Sequence, residues 1–148
     1  MTSEVLNIKL NGLGQEVSKI ALGSLKKHEA DIIKKNQEQL TSGVGINGKK
    51  LQTGYKPTQR RKREKAGLQT AFVDLKFNGE YQGGLTIEMD ETGAKIFSND
   101  WKESYLVNGE PLLEHHWGEI LGLTEKNMKW LLDEVTSDLY NGLLTYFS

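Results

Sequence analysis

From Gln15 onward apolar residues return every three or four positions, at Val17, Ile20, Ala21, Leu25 and Ile32, and they do so again at Met128, Leu131, Leu132, Val135, Leu139 and Leu143. That spacing lays one apolar stripe along a helix, so the chain should hold two long amphipathic helices, the first reaching to about Leu40 and the second closing the chain. Gly23 weakens the first without breaking it. Thr41-Ser42-Gly43-Val44-Gly45 and then Asn47-Gly48 supply the loop chemistry that ends it. The second has a start signal. Thr124 suits an N-cap, Glu125 favours the positive end of the helix dipole, and Leu123 with Met128 has the spacing of a hydrophobic staple.

A period of two marks the middle of the chain. Val73, Leu75 and Phe77 alternate with Asp74, Lys76 and Asn78, the pattern of a strand with one buried face. Asn78-Gly79 reads as a turn, Leu85 to Met89 as a second strand, Asp90-Glu91-Thr92-Gly93 as a second turn and Ala94 to Ser98 as a third strand closed by Asn99-Asp100. A small antiparallel sheet is predicted. Leu6, Ile8 and Leu10 also alternate, which suggests a short strand or extended arm over residues 1–12. Between sheet and final helix, Leu112, Leu113, Trp117 and Ile120 form a local run, read as a short helix or wide turn ending at Gly118 or Gly122. The fold class expected is α+β, with a long N-terminal and a C-terminal helix packed on the sheet.

Composition refines this picture. With 148 residues and 36% hydrophobic content, one domain spanning 1–148 is expected rather than two. Without cysteine, disulfides and thiolate chemistry are excluded. No run of about 18 apolar residues exists and the N-terminus has no signal-peptide pattern, so a chain that is neither membrane-bound nor secreted is expected. The net charge is −1, but Lys49 to Lys65 holds eight basic residues against Glu64 alone, leaving the remainder at −8. The 43–67 segment is rich in Gly and cations, with Val44, Ile46, Leu51, Tyr55 and Leu68 as scattered anchors. It is expected to be an extended, mobile loop ordered by a partner, although RRKREK has some local helix-forming character.

Candidate chemistry is thin. Glu114-His115-His116 with Glu119 supplies metal-ligating types, but adjacent histidines on a helix point about 100° apart and cannot readily face one ion. A packed imidazole beside Trp117 accounts for the same residues. His28 reads as a core-edge or interface residue, and Asp90, Glu91, Asp100 and Glu103 as turn carboxylates rather than an acid-base pair. No phosphate-binding glycine loop, GxSxG or cysteine nucleophile is present. No enzyme, cofactor or metal is expected. The basic segment is the stronger candidate. Lys49, Lys50, Tyr55, Lys56, Arg60, Arg61, Lys62, Arg63 and Lys65 could meet the acidic surface of a neighbouring subunit, or double-stranded DNA phosphates without sequence preference, the first being favoured because the acidic remainder would repel a duplex.

The order of several blocks resembles a known family. Asn36-Gln37-Glu38-Gln39-Leu40, Gly43 to Leu51 and Tyr55-Lys56-Pro57-Thr58, then Leu75 to Tyr81, Ser98-Asn99-Asp100-Trp101-Lys102 and Ile120 to Asn127, are similar to small neck and tail-assembly proteins of phages and prophages of Bacteroidetes-type hosts. The turn before Gly79 also resembles an element of the wider head-tail joining, or tail-completion, family of long-tailed phages, which is similar to Mu-type virion morphogenesis proteins. Asn78 and Gly83-Gly84 depart from that element. The resemblance implies a virion structural protein at the head-tail interface, assembled in the host bacterial cytoplasm, forming a hexameric ring with itself and contacting adjacent neck and tail proteins. A tail terminator, a minor tail protein, or a non-phage nucleic-acid-binding or adaptor module are the alternatives.

Overall fold

The computed structural model describes residues 3–51, 54–76, 79–90 and 93–148, and its architecture is α+β. Helix α1 (Ser3–Lys27) runs almost directly into α2 (Glu29–Thr41). The hydrogen-bond ladder crosses the joint, because His28 N donates to Ser24 O and Ile32 N donates to His28 O at 3.1 and 2.9 Å. The expected first helix is therefore present but divided at His28. It also starts earlier than predicted. Residues 3–12 belong to α1 and are neither strand nor extended arm. Leu6, Leu10, Leu13, Val17 and Ile20 carry a three-four spacing that continues the helical stripe, and this overrides the short alternation of Leu6, Ile8 and Leu10.

Helix α7 (Glu125–Phe147) lies antiparallel to α1 and α2. Gly142 sits against Ile20, Asp138 against Ser24 and Lys27, and Glu134 near His28. A Cβ on Gly142 would meet Ile20 at 2.8 Å, so the absence of a side chain there lets the two helices approach closely. Thr124 caps α7 as the sequence indicates: its Oγ1 accepts from Asn127 N at 3.4 Å.

Strands β1 (Leu85–Asp90) and β2 (Gly93–Ser98) form the predicted hairpin, in the register Leu85↔Ser98, Ile87↔Ile96 and Asp90↔Gly93. Leu85, Ile96 and Ser98 are buried on its inner face. At the turn Asp90 Oδ1 accepts from Gly93 N at 3.2 Å, while Glu91 and Thr92 lie outside the described residues. The core joins α2, the hairpin and α7 through Ile32, Leu40, Tyr81, Leu85, Ile96, Leu113, Ile120, Leu123 and Leu131.

The strand predicted at Val73 to Phe77 is not formed. Val73 to Lys76 is irregular, Phe77 and Asn78 fall outside the described residues, and Glu80–Gly83 is a single helical turn, α4. Val73 is buried as the alternation suggests, but Asp74 is buried too and Leu75 has φ +55, which no strand tolerates. The chain then makes a short turn α5 (Trp101–Ser104), a minimal ribbon of β3 (Leu106–Val107) with β4 (Glu110–Pro111), and α6 (Leu112–Trp117). Helix α6 ends at Gly118, φ +78, one of the two anticipated stops.

Candidate functional site

Part of the basic segment is helical where an extended loop is expected. Val44 bridges Lys50 as an isolated antiparallel pair, and Pro57–Lys65 is a helix, α3, with Pro57 at its first turn. A contact within the chain holds this helix to the body. Arg63 supplies it: only 3% exposed, it donates from Nε to Gln69 O, from Nη1 to Lys76 O and from Nη2 to Asp74 Oδ1, all at 2.9 Å. Its guanidinium stacks over Tyr55, 4.3 Å from the ring centroid. A planar fork with several donors can meet three acceptors at once, which a lysine ammonium cannot do in this geometry.

Asp74 is the other half of the anchor. Its carboxylate also accepts from Gln69 Nε2 at 2.8 Å, Tyr55 Oη at 2.9 Å and Lys76 N at 3.0 Å. The last of these closes a tight turn and holds Leu75 at positive φ. Burial alone would push the Asp74 carboxyl up. The bonds from Gln69, Lys76 and Tyr55, together with the charge of Arg63, outweigh burial and hold it below the ordinary carboxylate range. The Tyr55 phenol is pushed up, chiefly by burial.

The nine candidate residues therefore divide. Arg63 and Tyr55 are committed to the anchor, and Arg63 is withdrawn from the surface. Lys50 lies over the Phe72 ring at 4.2 Å and donates to Ser42 O. Lys49, Lys56, Arg60, Arg61, Lys62 and Lys65 are exposed. Four of these six stand on α3, so the cations form a folded ridge. Beside the ridge lies a cleft of about 330 Å³, walled by Lys62, Arg63, Leu75, Tyr81, Leu113 and Trp117.

No family model matches this chain, and neither a curated protein nor a solved structure does. What the ridge can do rests on its own chemistry. Exposed cations on a helix held by a buried ion pair present several charges on a fixed backbone, so that binding has only side-chain freedom to order.

Asp100, Glu103 and His28 have structural roles. Asp100 caps α5, accepting from Lys102 N at 3.0 Å and Lys102 Nζ at 2.8 Å. Glu103 accepts from Tyr81 Oη at 3.2 Å. Burial, and then the charge of Glu103, push the Glu114 carboxyl up. His28 is buried at the α1–α2 joint, edge-on to Trp130, with Nε2 3.4 Å from Asp138 Oδ2. Among the described residues no three ligating side chains gather to hold a metal, and no helix is long and apolar enough to cross a membrane.

One group escaped the sequence reading. Asn36 and Gln39, on one face of α2, clamp the loop leading into α7. Asn36 Nδ2 donates to Ile120 O at 3.0 Å and its Oδ1 accepts from Gly122 N at 3.3 Å. Gln39 Nε2 donates to Gly122 O at 2.9 Å, and its Oε1 accepts from Thr124 N at 3.0 Å and Asn127 Nδ2 at 2.6 Å. Gln82 plays the same part on the other side, donating to Asp74 O at 2.7 Å and accepting from Thr41 Oγ1 at 3.0 Å. Asn36 and Gln39 stand at three-four spacing on the same stripe of α2 as the buried Ile32 and Leu40, and that placement was the available signal.

Proposed function

We propose that this chain is a structural assembly protein of the phage neck, a head-tail joining or tail-completion component that acts by binding rather than by catalysis. The observation that carries the reading furthest is the α3 ridge. Arg60, Arg61, Lys62 and Lys65 are exposed on a helix locked to the body through Arg63 and Asp74, while the sequence outside 49–65 is acidic. A small body with a cationic ridge and an acidic remainder is suited to head-to-tail contact, ridge against the acidic surface of the next subunit or of an adjacent ring. The resemblance in block order to neck and tail-assembly proteins supplies the setting, a hexameric ring at the head-tail junction of the virion.

The test is particle assembly in a phage lacking its own copy. With Arg60, Arg61, Lys62 and Lys65 all changed to Gln, the protein should keep its circular dichroism spectrum and melting temperature, yet filled heads and tails should accumulate unjoined. Normal joining by that variant removes α3 from the reading. Failure of the unaltered chain to complement any such phage removes the neck assignment itself.

A further inference from the structure

Helix α7 carries apolar side chains on two sides, and the structure covers one of them, with Leu131 buried and Val135, Leu139 and Leu143 part-buried. The i, i+4 ridge formed by Glu134, Asp138, Gly142 and Tyr146 faces α1, as the approaches of Asp138 to Ser24, of Gly142 to Ile20 and of Tyr146 to Gly12 record. A second ridge, offset from the first by two residues and so turned by about 200°, runs Leu132, Thr136, Tyr140 and Leu144, with Met128 one step before it. From Leu132 to Leu144 this ridge points away from α1, while Met128 also borders the cavity lined by Leu25, Ile32 and Leu131. Met128 is 44% exposed, Leu132 59%, Tyr140 65% and Leu144 55%. From Leu139 to Ser148 there is no charged residue at all. A helix that is apolar on opposite faces is normally covered on both.

We infer that the outward face of α7 is a self-association surface, and that its occupant is α7 of a second copy of this chain. Three properties point to a copy rather than to a different partner. The ridge is symmetric about Thr136: large apolar residues stand four and eight positions away on either side. A two-fold axis at Thr136 would set Leu132 against Tyr140 of the second copy and Met128 against Leu144, with the small threonines at the crossing. Such i±4n ridges interlock at a crossing angle of about −50°, the commonest class of helix packing.

Charge agrees with this arrangement. The ridge has no side chain that is charged at neutral pH, and its charged flanks, Glu125, Lys126, Lys129 and Asp133, lie to one side of Thr136. The antiparallel axis brings them opposite the uncharged 139–147 segment of the second copy, so no like charges meet. The exposed apolar surface is roughly a few hundred Å² per copy, the size of a weak, reversible contact rather than of a stable dimer. A two-fold contact pairs copies and cannot by itself propagate a ring. It is thus additional to the ridge contact proposed above and stands or falls separately from the neck reading.

The test uses the full chain and its lack of cysteine. Sedimentation of the unaltered protein should show concentration-dependent dimers, and Leu132→Glu with Leu144→Glu should give monomers with unchanged helix content. A protein that remains monomeric into the millimolar range overturns the inference. Should the double variant not fold, single cysteines decide. Thr136→Cys should oxidise rapidly to a disulfide-linked dimer, because the axis brings its two Cα atoms within disulfide reach. Lys126→Cys, ten residues from the axis and therefore about 30 Å from its mate, should not. Equal cross-linking at both positions, or none at 136, overturns the proposed axis. Joined particles formed by a monomeric double variant would leave the dimer contact standing and separate it from assembly.

Discussion

Arg63 and Asp74 show how a cation in a basic run can be structural. Their side chains are 4% and 10% exposed and 2.9 Å apart, and removing one partner leaves the other's charge and hydrogen bonds buried without compensation. Arg63→Ala should therefore lower stability by about 3 kcal/mol in urea unfolding, and Arg63→Lys should recover little of it because the fork is lost. Arg61→Ala, on the exposed ridge, should change stability by less than about 0.5 kcal/mol. The pair also sets an acid limit. The folded Asp74 carboxyl lies below its ordinary value of 3.8, so its contribution is complete above that value and lost as pH falls through the lower, folded one. Unfolding followed from pH 7 into the acid range should show the stability gap between wild type and Asp74→Asn close below about pH 4. A gap that stays constant would mean that the carboxylate charge is not what the anchor uses. Glu114 has the opposite sign. Burial and Glu103 push its carboxyl up, so its ionised form opposes folding at neutral pH, and Glu114→Gln should raise stability by a few tenths of a kcal/mol.

At the scale of elements, the sequence period was a sound guide where it was long. The C-terminal helix, its Thr124 cap and the 85–98 hairpin are legible from apolar spacing and turn residues alone. Short alternations misled. Leu6-Ile8-Leu10 and Val73-Leu75-Phe77 each offered three residues of period two, too few to outweigh a continuing helical stripe in one case and a buried Asp74 in the other. The anchor itself was illegible for a physical reason: Arg63 on α3 meets Tyr55, Gln69 and Asp74 from the irregular chain on either side of it, and no periodicity encodes such a convergence. The pairing of α1 with α7 makes a prediction at the same scale. Gly23 and Gly142 are both helical, but a Cβ on Gly23 would meet nothing within 4 Å, whereas one on Gly142 would meet three atoms of the β-branched Ile20 between 2.8 and 3.1 Å. Gly23→Ala should stabilise by about 0.5–1 kcal/mol through helix propensity. Gly142→Ala should lose that gain to overpacking and destabilise by about 1 kcal/mol. Matched thermal melts of the two variants check the helix contact directly, and equal stabilisation would mean that α1 and α7 are farther apart than described.

Over the whole molecule the decisive feature is the separation of charge from apolar surface. The densest run of cations is at 49–65, the rest of the chain carries the net negative charge, and an uncovered apolar ridge runs along α7. Each kind of surface selects a different partner chemistry, and ionic strength distinguishes them. If α3 meets acidic protein surface, duplex DNA should bind only at low salt, because the acidic remainder repels the phosphate backbone. Each phosphate neutralised contributes a slope of about 0.9 in log affinity against log salt, so the four ridge cations limit the slope to about 4. Titration with a random-sequence duplex should then show binding that disappears before physiological ionic strength, and the variant with all four changed to Gln should lose it entirely. The α7 dimer should persist through the same salt range, since no charge takes part in it. DNA binding that survives at physiological salt would instead turn the ridge toward a DNA channel, and a slope unchanged in the variant would place the contact on cations other than Arg60, Arg61, Lys62 and Lys65.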